Sequence, residues 1–520
     1  MNLKSGLGRI RDLKHPLAVL ILAGLAVRLV LMPLFSFNID LTYWMKVFNL
    51  IDAGNDLYSI GGYYYTPIWG YVLGAMDILA HLFGMTDFGT QVPEFYPYVG
   101  KDYSISPYVT SISFNTFVKV PLILTDIAVA YLLYSFVKRI SDDETKALLA
   151  CGLWMLCPLT ILESSVHAMF DNISAMFMLI SFIAAYDRKY ILAGGVYSLA
   201  ILTKFFPLFF IFLLLAIVVR NEGFNLTSIK NIAIAIVSAV VVMLIVELPA
   251  IVNGQFWDSV SFMTERIGLS ASTLESLGIW LFIALGVLIF IIAAAAHYFC
   301  RIRPDIIRSR FLDVPDEERD RRIIKVIKII AGVMTVLVLA YSAYSVIKAE
   351  GTFVDIFNVF AKRIVLLLSI YTLLLEAFIA YKFVFSRKEG FMPYVYAFAM
   401  SAMVIFLWPP APQYAIVIVP ALVLLAVFDG RFVKPYIIMA VLMALYDIVL
   451  AGPSPIFSLA AYTGIMDVSS LVPMVEFVTS YLFGEVPMIA PFMVVFGGLS
   501  YISLLYLIYR GIIIGRRSPE

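Results

Sequence analysis

Apolar runs of about twenty residues recur along the chain, which is the length needed to cross a hydrocarbon core of about 30 Å. The first is Pro16–Phe35, interrupted only by Arg28. Similar windows predict helices near 16–36, 116–137, 146–162, 169–186, 190–203, 206–220, 231–251, 276–300, 325–347, 361–385, 393–408, 412–428, 434–451 and 488–513. The two windows flanking Lys204 are short, so they can also be read as one broken helix. The pattern therefore predicts an all-α polytopic membrane protein with about 13–14 transmembrane helices.

Basic residues orient this map. Lys4, Arg9, Arg11, Lys14 and His15 precede the first run, which lacks a small-residue cleavage pattern and reads as a retained helix with its N-terminus inside. Lys138/Arg139/Lys146, Arg188/Lys189, Arg220/Lys230, Arg301–Arg322, Arg387/Lys388, Arg431/Lys434 and Arg516/Arg517 then all fall on that inner side. Keeping Lys138 and Arg139 inside requires Thr66–Gly84 to be a juxtamembrane or re-entrant segment rather than a span. It then lies within a long external first loop, about 37–115, that contains amphipathic and juxtamembrane helices. Two modules are expected: residues 1–251 with that loop, and residues 252–520, a helical module with an external segment at about 452–487.

Composition agrees with the pattern. Of 520 residues 62% are hydrophobic and 14% charged, with a net charge of +1 and a mean hydropathy of +0.94. The near-zero charge gives no footprint for nucleic acid. Cys151, Cys157 and Cys300 form no paired or clustered spacing, so neither a disulfide framework nor a cysteine metal site is expected. The first outer loop carries Asp40, Asp52, Asp56, Asp87, Glu94 and Asp102 beside many tyrosines, including Tyr64 and Tyr65. Carboxylates beside aromatic faces suit sugars, and the same residues also suit interfacial anchoring.

Several positions stand out chemically. Asp40 follows the first helix and reads either as an N-cap for the amphipathic stretch Leu41–Ala53 or as a partly desolvated general base. Asp126 sits inside a membrane helix, with Lys119 seven residues earlier on the same face. Glu163, His167 and Asp171 gather at one helix end, where His167 and Asp171 at i, i+4 are too few ligands for a metal. Lys204, beside the helix-breaking Pro207, and Arg266, in an outer loop, suit phosphate. Gln413 and Tyr414 follow a Pro-rich turn at the outer ends of two helices.

In chain order these features read FNIDLTYW, GNDLYSIGGYYYTPIWGYVL, KVPLILTDIAVAYLLY, CPLTILESSVHAMFDNISAMFMLI and LTKFFPLFF. The series resembles the GT-C superfamily of polytopic glycosyltransferases. It is particularly similar to lipid-phosphate-mannose-dependent mannosyltransferases such as the catalytic subunit of GPI mannosyltransferase I. The resemblance covers about residues 28–215 and departs from the family at Leu57, where the family carries Pro. It implies a GT-C-like fold and an inverting transfer of a hexose, mannose first, from a polyprenyl-phosphate donor to a lipid-linked or glycan acceptor. It further implies Asp40 as base and Lys204 and Arg266 at the donor phosphate. Asp126, Asp171, His167, Glu163, Tyr64, Tyr65, Gln413 and Tyr414 would then serve the acceptor or the site's architecture. Leu41 and Thr42 follow Asp40 where a paired acid is common, so no tightly bound Mg or Mn is expected. A prokaryotic plasma membrane with the site facing outside completes this reading. The alternatives are a transporter or flippase using Asp126, Lys204, Glu247 and Glu376 as a pathway, and a non-catalytic scaffold subunit of a glycosylation complex.

Overall fold

The computed structural model describes residues 14–59, 63, 65–98, 106–260, 298, 315–348, 353–406, 412–452, 454–476 and 490–517. Its helices are α1 Pro16–Leu34, α2 Asn38–Asp52, α3 Pro67–Leu82, α4 Ile112–Ser141, α5 Glu144–Met155, α6 Pro158–Leu162, α7 Asp171–Tyr186, α8 Tyr190–Thr203, α9 Ile211–Glu222 and α10 Leu226–Val252. The second half adds α11 Asp316–Lys348, α12 Phe353–Val384, α13 Met392–Ile405, α14 Val419–Phe428, α15 Val433–Ala451, α16 Phe457–Thr463 and α17 Ala490–Arg517. Among the described residues, seven helices are long and apolar enough to span a membrane, or eight if the bent pair Glu144–Met155 and Pro158–His167 counts as one. The protein is an all-α, multi-pass integral membrane protein. The expected window 276–300 and Arg266 lie outside the described residues, apart from residue 298.

Helix ends follow local chemistry. Ser111 caps α4 by accepting from the Phe114 amide, Asp143 caps α5 at the Thr145 and Lys146 amides, and Asn225 caps α10 at the Ser228 amide. Proline opens α1, α3, α6 and α13, where its missing N–H costs nothing. Helix α3 has 16 residues, about 24 Å at 1.5 Å per residue, short of a hydrocarbon core of about 30 Å.

The bundle is organised around α4 and α7. Helix α1 packs on α4 and α5, α4 on α7, α7 on α8, and α8 on α10. Helix α14 returns against α5, and α15 packs on α6 and α17, which joins the second half of the chain to the first. Gly194 permits the α8–α10 crossing, because a Cβ there would lie 2.0 Å from the Ala235 carbonyl oxygen. Small residues at such crossings let backbones approach in a lipid environment. Few residues of α10, or of Asp316–Ala340 in α11, are fully buried within the protein, as in segments facing lipid.

A buried ion pair ties the first four membrane elements together. Arg28 Nε lies 2.8 Å from Asp126 Oδ2, with both side chains fully buried. Its remaining donors reach the Gly24 and Met155 carbonyls and Thr160 Oγ1. Asn172 Nδ2 donates to the other oxygen of Asp126 at 3.0 Å. Each nitrogen of Arg28 and both oxygens of Asp126 are thus engaged, the condition under which a buried pair is tolerable. Asp126 does not pair with Lys119. That ammonium donates instead to the Met32 and Phe35 carbonyls, which are freed where α1 ends. Spacing along one helix could not show a partner contributed by another.

Segments 89–110 and 454–475 build a layer of their own. Strands β1 Gly89–Gln91 and β2 Tyr108–Thr110 pair antiparallel with Gly89 opposite Thr110. This ribbon is missing from the sequence reading. The segment around α16 packs on it: Val92, Phe95, Val109, Phe457, Ala460, Leu471 and Val475 form a separate small core. Ser458 Oγ donates to the Thr110 carbonyl at 2.9 Å, and the Ser36 amide donates to the Pro455 carbonyl at 3.0 Å. These bonds bring the far end of α15 over the start of α2.

Candidate functional site

Two backbone breaks create the site. After α6 the chain widens into a single π-helical turn, Glu163–His167, and Ala168 then takes a left-handed conformation at φ 57. A π-turn followed by a left-handed non-glycine residue is costly, and such features concentrate at functional positions. The Trp44 indole holds the break by donating to the Ala168 carbonyl at 3.1 Å. The second break is at Lys204, which ends α8 in an extended conformation before the tight turn Phe206–Phe210. Thr66 Oγ1 anchors it by donating to the Thr203 carbonyl at 2.8 Å.

The first break sends His167 and Asp171 in different directions, so the two do not form the i, i+4 pair expected from spacing. His167 Nε2 lies 3.1 Å from Asp447 Oδ2, and its Nδ1 lies 3.9 Å from Glu163 Oε2. Its ring stacks on Phe37 at 4.5 Å. Asp171 meets Lys204 instead, with Oδ2 3.0 Å from Nζ. The Lys204 ammonium also faces the rings of Phe170 at 4.2 Å and of Tyr65 and Tyr414 at 5.1 Å each. Glu163, His167, Asp171, Lys204 and Asp447 are all buried.

Asp40 belongs to the same polar centre. It stands in the first turn of α2 rather than at its N-cap, since the helix begins at Asn38. The residue is partly exposed, but Oδ2 is shielded and has no hydrogen-bond partner. Burial pushes its carboxyl up to about 7, Lys204 pulls it down, and Asp171 pushes it up. The carboxylate after the first helix and the cation at the LTKFFP break therefore share one electrostatic neighbourhood.

Other expected residues sit at different distances from this centre. Asp126 is committed to Arg28, and Gln413 lies partly exposed on the turn that buries Tyr414. Tyr64 and Arg266 lie outside the described residues. Asp447 and Arg28 went unassigned, although an ionisable residue inside an apolar run is a signal that could have flagged both. The transporter alternative fares poorly on contacts. Glu247 accepts from Ser259 at 2.7 Å, Glu376 accepts from Ser401, Lys204 pairs with Asp171, and Asp126 pairs with Arg28. Each charge is held in its own local contact.

Two groups have metal-ligand spacing. Glu163, His167 and Asp447 offer atoms within 4.8 Å of one another in the interior, and Asp52, Asp77 and His81 do so near the surface of α2 and α3. In the second group, burial and then Asp52 raise the Asp77 carboxyl to about 6. His81 is raised chiefly by its bond to the Asp77 carbonyl.

Residues 47–283 match the family GPI transamidase subunit PIG-U. The stretch contains α3 to α10, the π-turn and Lys204, and is just under half of the chain. No curated protein matches the chain significantly.

The match overturns the mannosyltransferase resemblance, the hexose transfer from a polyprenyl-phosphate donor, and the glycosyltransferase class. The sugar donor falls as a partner as well. The transporter or flippase alternative and the prokaryotic placement lose their support too. The physical reason lies in what the short motifs encode. A Thr-Pro helix start, a lysine at a proline break and an aromatic outer loop are solutions to crossing a bilayer. Proteins of different chemistry can share them in the same order.

Proposed function

We propose that this chain is a non-catalytic, multi-pass subunit of a GPI transamidase-type assembly, which attaches proteins to GPI anchors. The observation that carries this reading is the family match over residues 47–283. Its partners would then be the protein subunits of that assembly. Its place would be the membrane where attachment occurs, the endoplasmic reticulum in cells that have one.

The geometry supports a structural rather than a catalytic contribution. Amide exchange through a covalent intermediate needs an accessible thiol or hydroxyl beside a base. Among the described residues, Cys151 and Cys157 are buried in helix packing. His167 faces two carboxylates and a phenyl ring, with no serine or cysteine hydrogen-bonded to it. The tying of both outer loops to the bundle suits a rigid frame presented at the outer face.

The test is depletion of the chain in its own cells, followed by surface staining of a GPI-anchored reporter and of a transmembrane-anchored control. The GPI reporter should fall several-fold with the control unchanged, and re-expression of the chain should restore it. Equal staining of both reporters after depletion would overturn the proposal.

A further inference from the structure

We infer that Glu163, His167 and Asp447 form a binding site for one divalent transition-metal ion of the zinc or manganese class. The inference does not depend on the transamidase-subunit reading. It rests on three observations about one spot in the fold.

The first is ligand type and spacing. One imidazole and two carboxylates suit zinc or manganese. Two ligand atoms bound at about 2.1 Å to one ion stand roughly 3–3.5 Å apart. The His167 Nε2–Asp447 Oδ2 separation of 3.1 Å falls in that range. Glu163 brings the third carboxylate or imidazole atom within 4.8 Å of the other two.

The second is unspent coordination capacity. Both oxygens of Glu163 and both of Asp447 are buried without a hydrogen-bond donor, as is His167 Nδ1. Glu163 and Asp447 are 0% exposed and His167 is 2% exposed. Buried polar groups almost always find partners, and unpartnered carboxylates are among the most costly exceptions. The carboxylate oxygens of Glu163 and Asp447 converge on the ring, so a single ion could bind one oxygen of each together with one imidazole nitrogen.

The third is charge. Asp40, Glu163, Asp171 and Asp447 share this interior with Lys204, which is paired to Asp171, and with Lys119, which is bonded to two carbonyls. Four carboxylates face two lysine side chains, one ion-paired to Asp171 and one bonded to two carbonyls. A divalent cation would offset the remainder. The costly π-turn and left-handed Ala168 then acquire a purpose, since they turn Glu163 and His167 toward Asp447 rather than along a regular helix.

The ion would be held by residues from both halves of the chain, at the point where α15 meets the π-turn. It would act as a clasp between them and would remain enclosed by Phe37 on the imidazole face.

The experiment uses the full chain purified in detergent. It is stripped with a chelator, incubated with zinc or with manganese alone, desalted, and measured for bound metal by mass spectrometry and for melting midpoint. The wild type should retain about one ion per chain and melt at a higher temperature with metal than in chelator. Glu163→Gln and Asp447→Asn are near-isosteric, so both should still elute as monodisperse protein while losing at least ten-fold in affinity and the metal-dependent melting shift. His81→Ala, at the surface cluster, should retain both. Three results would overturn the inference: no ion retained by the wild type, equal retention by wild type and both near-isosteric variants, or loss of the ion in His81→Ala. If the near-isosteric variants aggregate, the wild-type stoichiometry and its melting shift decide the matter alone.

Discussion

At the scale of residues, the chain shows what sequence can reveal about buried charge. Asp126, Glu163, His167, Asp171 and Lys204 all stood out because charge inside an apolar run is expensive. The partners of Asp126, His167 and Lys119 did not, because Arg28, Asp447 and the Met32 carbonyl come from other helices. Asp40 offers a direct titration test. Its folded carboxyl titrates at about 7 against an ordinary 3.8, so the folded state holds this proton more tightly than the unfolded chain does. The contribution is then fully present below about pH 4 and is lost as pH rises through about 7. In chelator, the melting midpoint of the wild type should fall over that window relative to Asp40→Asn, which cannot ionise. Parallel melting curves for the two proteins across the window would show that Asp40 is not shielded.

At the scale of elements, nearly every described helix was legible, since bilayer thickness fixes the length of an apolar run and lysine and arginine mark its inner end. The start of α8 at Tyr190 and its end at Thr203 coincide with the expected 190–203. The π-turn was hidden, because one extra residue per turn leaves no hydrophobic signature. So was the β-ribbon, whose three-residue strands are set by pairing across a long loop. Helix crossings hold a further test. Ala at Gly194 would drive a Cβ into the Ala235 carbonyl, whereas Gly332 has open space around it. Gly194→Ala should lower the melting midpoint, with overpacking typically costing about 1–3 kcal/mol. Gly332→Ala should leave the midpoint unchanged or raise it, because alanine favours the helix by up to about 1 kcal/mol. Equal behaviour of the two variants would mean that α8 and α10 do not cross closely at Gly194.

At the scale of the whole molecule, the two halves of the chain meet at one polar centre and at the small core beneath the ribbon. The π-turn carries Glu163 and His167 from the first half, and α15 brings Asp447 from the second. The small core beneath the ribbon repeats this arrangement outside, with Phe95 against Phe457 at 4.6 Å. A rigid, internally tied frame of this kind suits a subunit that positions others. The similarity to a GPI transamidase subunit is the ground on which we propose the assembly this frame serves. The most direct measurement is to tag the full chain at its own locus, extract it in mild detergent, and quantify the transamidase subunit that carries the catalytic residues in the purified material. Our account predicts co-purification in near-equal amounts, stable through size exclusion as one large species. A chain that elutes free of that subunit, in cells where both are made, would contradict it.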